Sequence, residues 1–214
     1  MDTLKATRHL IKVDPDLAQT VQKIGSCTLK TDKSRTVFAS LVRSIVYQQL
    51  TGKVAGIILN RLLDMFPEKR FPSPESLLSI SKKKLRGAGL SYQKAQYIQN
   101  IAQAAIDGIV PNSRQANRMT DQQLINQLTS IKGVGRWTVE MLLIFRLGRP
   151  DVLPSTDYGV QKGFALVKGL HVHPKPNQLI VAGEYWSPYR TVATWYLWRA
   201  ADTFDLALKG LKKV

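Results

Sequence analysis

Apolar residues recur at spacings of three and four along most of the chain, the period of a helix buried on one face. Phe38, Leu41, Val42, Ile45 and Val46 form one such stripe, and Ala55, Ile58, Leu59, Leu62 and Leu63 the next. Ser73-Pro74 with Glu75 reads as a helix start ahead of Leu77, Leu78 and Ile80. Leu85 to Leu90 holds Gly87 and Gly89 and predicts a tight turn. Ala95, Ile98, Ile101, Ala102 and Ala105 share a face, and Asp107-Gly108 ends that helix. Thr120-Asp121-Gln122-Gln123 is a cap-like start ahead of Leu124, Ile125 and Leu128. Val139, Leu142, Leu143 and Phe145 continue in helical register up to Leu147-Gly148-Arg149-Pro150. Asp157 is placed to cap the next helix, with Val160 and Phe164 inside it. Residues 171–176 read as a turn, and Ala182 through Trp198 to Ala207 as helix interrupted near Ser187-Pro188. No segment alternates as a half-buried strand does. The expected fold class is all-α, with nine or ten helices in two lobes and a site on the surface shared by them.

Between the stripes ending at Leu128 and starting at Val139 lies Ile131-Lys132-Gly133-Val134-Gly135-Arg136. A Gly-x-Gly turn that opens a helix leaves a cluster of backbone N–H groups without covering side chains, which suits a phosphate. A lone Gly-x-Gly is equally an ordinary capped connection. Leu-x-x-Ile-x-Gly-Val-Gly opening an amphipathic helix is more specific and reads as a helix-hairpin-helix, a device that grips DNA backbone without reading sequence. Lys132 and Arg136 flank the turn. Charge adds weight: the 214 residues carry 31 Lys and Arg against 15 Asp and Glu, a formal net charge of +16. The excess is spread over the chain rather than held in a tail, so the basic surface belongs to the folded body, and nucleic acid is the expected partner. One cysteine, Cys27, excludes an internal disulfide, a cysteine zinc site and an iron–sulfur cluster. No run approaches the ~18 apolar residues of a membrane span. The first sixteen residues lack the apolar core of a signal peptide. Cytoplasm or nucleoid is the expected location, or the nucleus in a eukaryote.

Four groups of residues could carry chemistry. Asp157, in Leu153-Pro154-Ser155-Thr156-Asp157-Tyr158, reads locally as a helix cap, but a carboxylate there can also stabilise a cationic sugar and orient or deprotonate water. Aromatic residues are frequent toward the C-terminus. Core packing accounts for Trp186 and Trp195, whereas Trp137 directly follows the hairpin and Tyr158 directly follows Asp157, where flat, electron-rich walls would hold an extruded base. A cationic, alkylated base gains ~0.5–2 kcal/mol per ring from cation–π attraction. Tyr47-Gln48-Gln49-Leu50-Thr51 breaks an apolar helix with polar residues and reads either as a plain helix end or as a wedge, through Gln49 or Leu50, filling the gap left by a flipped base. His171-Val172-His173 lacks the companions of a metal site and reads as surface turn.

In order along the chain, Val42-Arg43-Ser44-Ile45-Val46-Tyr47-Gln48-Gln49, Gly89-Leu90-Ser91 with Lys94-Ala95, Gly133-Val134-Gly135-Arg136-Trp137-Thr138, Leu153-Pro154 with Asp157-Tyr158, and residues 186–198 resemble the helix-hairpin-helix DNA glycosylases with a Gly/Pro-rich loop and an aspartate. Within that family the similarity is to the alkylation-repair branch, the 3-methyladenine DNA glycosylase II group. The resemblance implies two helical lobes flanking a DNA-binding cleft. One lobe (1–36 with 140–214) would carry the catalytic aspartate and aromatic pocket, and the other (37–139) the wedge loop and the helix-hairpin-helix, which spans 125–146. It further implies Asp157 as catalytic carboxylate, with Trp137, Tyr158, Trp198 and Met141 around the base. Gln49, or Leu50 beside it, would be the intercalating residue. Lys132, Gly133, Val134, Gly135 and Arg136 would meet phosphate. Main-chain carbonyls of Thr129, Ile131 and Gly133 would hold a monovalent cation, Na+ or K+, with no other cofactor required. Bifunctional relatives carry a lysine directly after Gly-Val-Gly-Arg, and here that position is Trp137, so an intact abasic site is the expected product. The implied activity is monofunctional excision of 3-methyladenine and 7-methylguanine from double-stranded DNA, by a monomer. The competing readings are a non-catalytic helix-hairpin-helix DNA-binding protein and an interaction scaffold whose charge serves solubility.

Overall fold

Short polar side chains set where the helices begin. In a computed structural model, which describes residues 1–66 and 71–211, Asp2, Asp14, Thr36, Ser73, Ser91, Asn112, Thr120 and Asp157 each accept a hydrogen bond from a first-turn N–H of the helix that follows. The elements, in order, are α1 (Thr3–Val13), α2 (Pro15–Ile24), α3 (Val37–Tyr47), α4 (Gly52–Leu63), α5 (Pro74–Ser79), α6 (Lys82–Gly87) and α7 (Tyr92–Ile106). They continue with α8 (Ser113–Arg118), α9 (Asp121–Leu128), α10 (Arg136–Leu142), a π-helical turn (Leu143–Leu147), α11 (Tyr158–Val167), α12 (Pro176–Ala182), a 3-10 turn (Glu184–Trp186) and α13 (Arg190–Leu211). Among the described residues there is no strand, and the protein is all-α. The described residues form thirteen α-helices where nine or ten were expected. Six-residue helices such as α6 and α8 hold too few apolar repeats to register as stripes, and α1 and α2 precede the first stripe that the sequence offers.

The chain forms two units, one of residues 1–31 with 148 onward and one of residues 32–147. The boundary expected at 139/140 falls inside a continuous helical run and is corrected to 147/148. α10 passes without interruption into the π-helical turn, and Gly148, at φ +66°, ends it. That turn is fastened to the second unit. Arg146 is buried, donates through Nη2 to Ser113 Oγ over 2.8 Å and through Nε to the Arg35 carbonyl, while the Asp32 N–H reaches the Phe145 carbonyl over 2.8 Å. The same bonds move residues 32–36 into this unit.

In the first unit Ala6, Leu10, Leu17, Val21, Val160, Phe164, Leu179, Trp186, Trp195 and Tyr196 form one core. Trp186 and Trp195 are buried core residues, as their sequence context indicates. α11 lies so close to α13 that a Cβ built on Gly163 would stand 1.9 Å from the Leu197 carbonyl oxygen. In the second unit α3 buries most of its circumference, including Val37, Phe38, Leu41, Val42, Ile45 and Val46, and α4, α7 and α10 pack around it.

Candidate functional site

Asp157 stands at the start of α11, half-buried, and its Oδ1 accepts the Val160 N–H over 2.9 Å. The indole Nε1 of Trp198 donates to the same oxygen over 2.9 Å. Cap and candidate catalyst are therefore one carboxylate. Two glycines that sequence reasoning passed over make this approach possible. Gly163 admits the α13 backbone, and a Cβ on Gly159 would lie 3.1 Å from Trp198 Cδ1 and 3.2 Å from Asp157 Oδ1. Small residues four apart on a helix mark one face, so the 159/163 pair was a readable signal of a close crossing.

The loop entering α11 is stitched to α13. Thr191 Oγ1 donates to the Arg149 carbonyl over 2.7 Å and accepts the Val152 N–H over 3.0 Å, and Thr194 Oγ1 donates to the Val152 carbonyl over 3.2 Å. Asp151 holds the start of α13, taking Arg190 Nε and Nη2 at 2.7 Å each and Ser187 Oγ at 2.9 Å. Burial pushes the Asp151 carboxyl up, but Arg190 and Ser187 outweigh it and hold it below the usual carboxylate value. Tyr158 is exposed, edge-on to His173 with ring centroids 5.1 Å apart.

The hairpin belongs to the second unit. Thr129 ends α9, the Val134 N–H turns back to the Ile131 carbonyl over 2.9 Å, and Gly135 opens α10 with no side chain capping it. Gly133 sits at φ +104°, in the region that favours glycine, and its missing Cβ would collide with the Tyr97 ring at 2.2 Å. The Lys132 carbonyl accepts the Asn100 amide over 2.9 Å. Lys132, Gly135 and Arg136 are exposed, and Val134 is buried beneath the turn. Arg136 also pairs with the buried Glu140 over 2.9 Å. For a cation on the carbonyls of Thr129, Ile131 and Gly133 the donor chemistry fits: these are neutral, hard oxygens, and Ile131 keeps a second lone pair beside its bond from Val134. Among the described residues no group of three or more His, Cys, Asp or Glu gathers as a metal site.

Trp137, half-buried, and Met141, buried, both stand on α10 in the second unit, whereas Asp157, Tyr158 and Trp198 belong to the first. Gln49 and Leu50 are exposed just past α3, and Gln49 takes φ +57°, a left-handed conformation uncommon for a residue with a side chain. Sequence reasoning did not find the groups that hold this turn. Lys94 Nζ donates to the carbonyls of Val46 and Gln48, and Gln48 Nε2 donates to Thr138 Oγ1 over 3.0 Å.

Residues 42–188 match the family model described as HhH-GPD superfamily base excision DNA repair protein. The chain belongs to this superfamily. The DNA-3-methyladenine glycosylase 1 of Schizosaccharomyces pombe is 35% identical over 202 residues, an alignment covering 94% of this chain and 89% of that protein. The solved structure of that organism's 3-methyladenine DNA glycosylase (Mag1) in complex with abasic DNA superposes with a TM-score of 0.88 at 34% identity, covering 94% of this chain and 98% of that one. A DNA-3-methyladenine glycosidase from Bacillus halodurans gives a TM-score of 0.79 at 35% identity, covering 96% and 92%. This HhH-GPD protein thus shares its helical fold along nearly its whole length with proteins named for removing 3-methyladenine. Among its described residues no helix is long and apolar enough to cross a membrane.

Proposed function

We propose that this protein is a monofunctional DNA glycosylase that flips alkylated purines out of double-stranded DNA and hydrolyses their N-glycosidic bond, with 3-methyladenine and 7-methylguanine as substrates. The observation that carries the reading is the Asp157 carboxylate, oriented by the Val160 N–H and the Trp198 indole in a chain of the base-excision superfamily.

The chemistry follows from the charge on the substrate. An N-alkylated purine is cationic and leaves with the bonding electron pair as a neutral base. The deoxyribose then carries the positive charge, which the carboxylate stabilises. Water adds at C1′, and Asp157 takes its proton. With so good a leaving group no second carboxylate is needed as general acid. Trp137, Tyr158 and Trp198 offer aromatic faces whose attraction for a cation favours the damaged base, and Met141 is proposed as an apolar contact. Lys132, Gly133, Gly135 and Arg136 grip backbone phosphate over the buried Val134 that anchors the turn, and a sodium or potassium ion on the carbonyls of Thr129, Ile131 and Gly133 would brace the turn and add positive charge there. Gln49, or Leu50 beside it, fills the stack. Trp137 stands where a Schiff-base lysine would be needed for strand cleavage, and the product is an intact abasic site, released by a monomer.

The test is base release from methylated duplex DNA, followed by separate analysis of free base and strand. Free 3-methyladenine and 7-methylguanine with unbroken strands, and no borohydride-trapped adduct, are expected. Duplex binding without base release would leave only a DNA-binding module, and strand nicking by the wild-type protein would overturn the monofunctional mechanism.

A further inference from the structure

The turn after α3 holds the proposed wedge, and its conformation is held by a residue outside it. Lys94, in the first turn of α7, sends its ammonium to two carbonyls at once, Val46 at 2.9 Å and Gln48 at 2.6 Å. These lie at the end of α3, where helix carbonyls lack partners within the helix and carry the negative end of its dipole. A cation is the fitting cap for such an end. Lys94 is partly buried, and burial lowers its pKa from the usual value of 10.5. A lysine withdrawn from water to bond two main-chain oxygens, and bonding no carboxylate among the described residues, is placed for geometry rather than surface charge.

That geometry concerns the next residue. Gln49 follows the second of the two carbonyls and is the one non-glycine residue with positive φ among the described residues. Such a conformation persists where surrounding bonds over-determine it. Here those bonds come from Lys94 on one side and from Gln48 on the other, whose side-chain amide reaches Thr138 of α10, the helix opened by the hairpin. The left-handed step turns the chain sharply between α3 and α4 and leaves Gln49 and Leu50 exposed at the tip.

We propose that Lys94 is a positioning residue for strand intercalation: it fixes the α3 end so that the Gln49–Leu50 tip enters the base stack without first being ordered. This rests on the wedge assigned to that tip above. Lys94 touches neither base nor sugar in this scheme. Its loss therefore penalises lesions that must be unstacked and spares those already unpaired, because flipping is least demanding where the base is not stacked and paired.

The experiment compares wild type with Lys94→Met, which keeps the apolar stem and removes the donors. Single-turnover excision is measured on a paired lesion in duplex DNA and on the same lesion in a single strand. In parallel, the fluorescence of 2-aminopurine beside a stable abasic analogue reports unstacking without any bond cleavage. Expected are a loss of about tenfold on the paired lesion, a change within about twofold on the single strand, and a weaker 2-aminopurine rise at saturating protein. Equal losses on both substrates, or an unchanged 2-aminopurine signal, overturn the proposal. Should Lys94→Met melt too low to assay, Lys94→Gln, which keeps one donor group, goes through the same comparison with an intermediate loss expected. If the wild-type protein releases no base at all, the glycosylase reading fails, while the fluorescence arm still decides whether Lys94 sets the wedge.

Discussion

Trp198 Nε1 and the Val160 N–H donate to one and the same oxygen of Asp157, Oδ1, each over 2.9 Å. An asparagine can present an amide oxygen at that point, so Asp157→Asn keeps the helix cap and the indole bond while losing the charge. The melting temperature is expected to stay within about 2 °C of wild type, while base release falls by about 10²- to 10³-fold. Calorimetry and single-turnover assays on one preparation measure both. Excision within tenfold of wild type would remove Asp157 from the mechanism.

The two glycines of α11 separate stability from activity. Gly163→Ala would drive a Cβ to 1.9 Å from the Leu197 carbonyl oxygen, a backbone atom with nowhere to go. A loss of about 3 kcal/mol or more is expected in denaturant unfolding. Gly159→Ala meets Trp198 and Asp157 at 3.1 and 3.2 Å, where side chains can give by tenths of an ångström. It should destabilise by about 1 kcal/mol or less, and lower excision severalfold by shifting the carboxylate.

Asp14 is fully buried and caps α2, with Lys168 at 2.8 Å and the Trp186 indole at 2.9 Å on its carboxylate. Burial pushes its pKa up, and the bonds from Lys168, Leu17 and Trp186 more than reverse this, leaving it below 3.8. Its stabilisation is therefore present above pH 3.8 and lost as pH falls through its lower folded value. Burial lowers the pKa of Lys168, and its bonds to Asp14 and Asp16 more than compensate, raising it above 10.5. Its contribution is full below that value and fades as pH climbs through the raised one. Lys168→Met strands a buried carboxylate and should remove about 3 kcal/mol at neutral pH. The gap to wild type should narrow in acid, because the unpaired, buried Asp14 of the variant takes up its proton more readily than the ion-paired one while the wild type begins to lose its own contribution, which urea titrations at pH 7 and pH 3 would register. A gap of equal size at both pH values would remove the ion pair as its cause.

Helix positions were legible because caps and apolar stripes agree. Thr120 caps where a helix start was read, and the structure adds the reciprocal Gln123 bond of a capping box; Ser73 and Asp157 cap as read, and Gly108 and Gly148 turn the chain where helices end. The discontinuous division into two parts was legible, but its bounds at residues 32–36 and 140–147 were not. They depend on where the buried Arg146 finds its partners, and Arg35 and Ser113 lie far off in sequence. Asp157 and the hairpin stand out as local motifs. Their supports do not, since Trp198 meets Asp157 and Tyr97 meets the hairpin only through tertiary packing, where an aromatic residue reads as core; in the same way Lys94, which holds the turn after α3, reads in the sequence as surface charge.

The hairpin glycines make opposite demands. Gly133 combines φ +104° with a Tyr97 ring 2.2 Å from where a Cβ would stand. Gly133→Ala must therefore move the ring or the turn, and a loss of stability of about 2 kcal/mol or more is expected. Gly135 has φ −89° and nothing within 4 Å of the same point. Alanine fits there in the free protein, so Gly135→Ala should melt like wild type. An added methyl group at the exposed turn proposed to meet phosphate would oppose close approach of the DNA backbone, and duplex affinity should fall about tenfold, the loss of one charge-assisted hydrogen bond. Melting curves with fluorescence-anisotropy titrations of undamaged duplex separate the two effects. Wild-type affinity in a well-folded Gly135→Ala would mean that DNA backbone does not approach this turn.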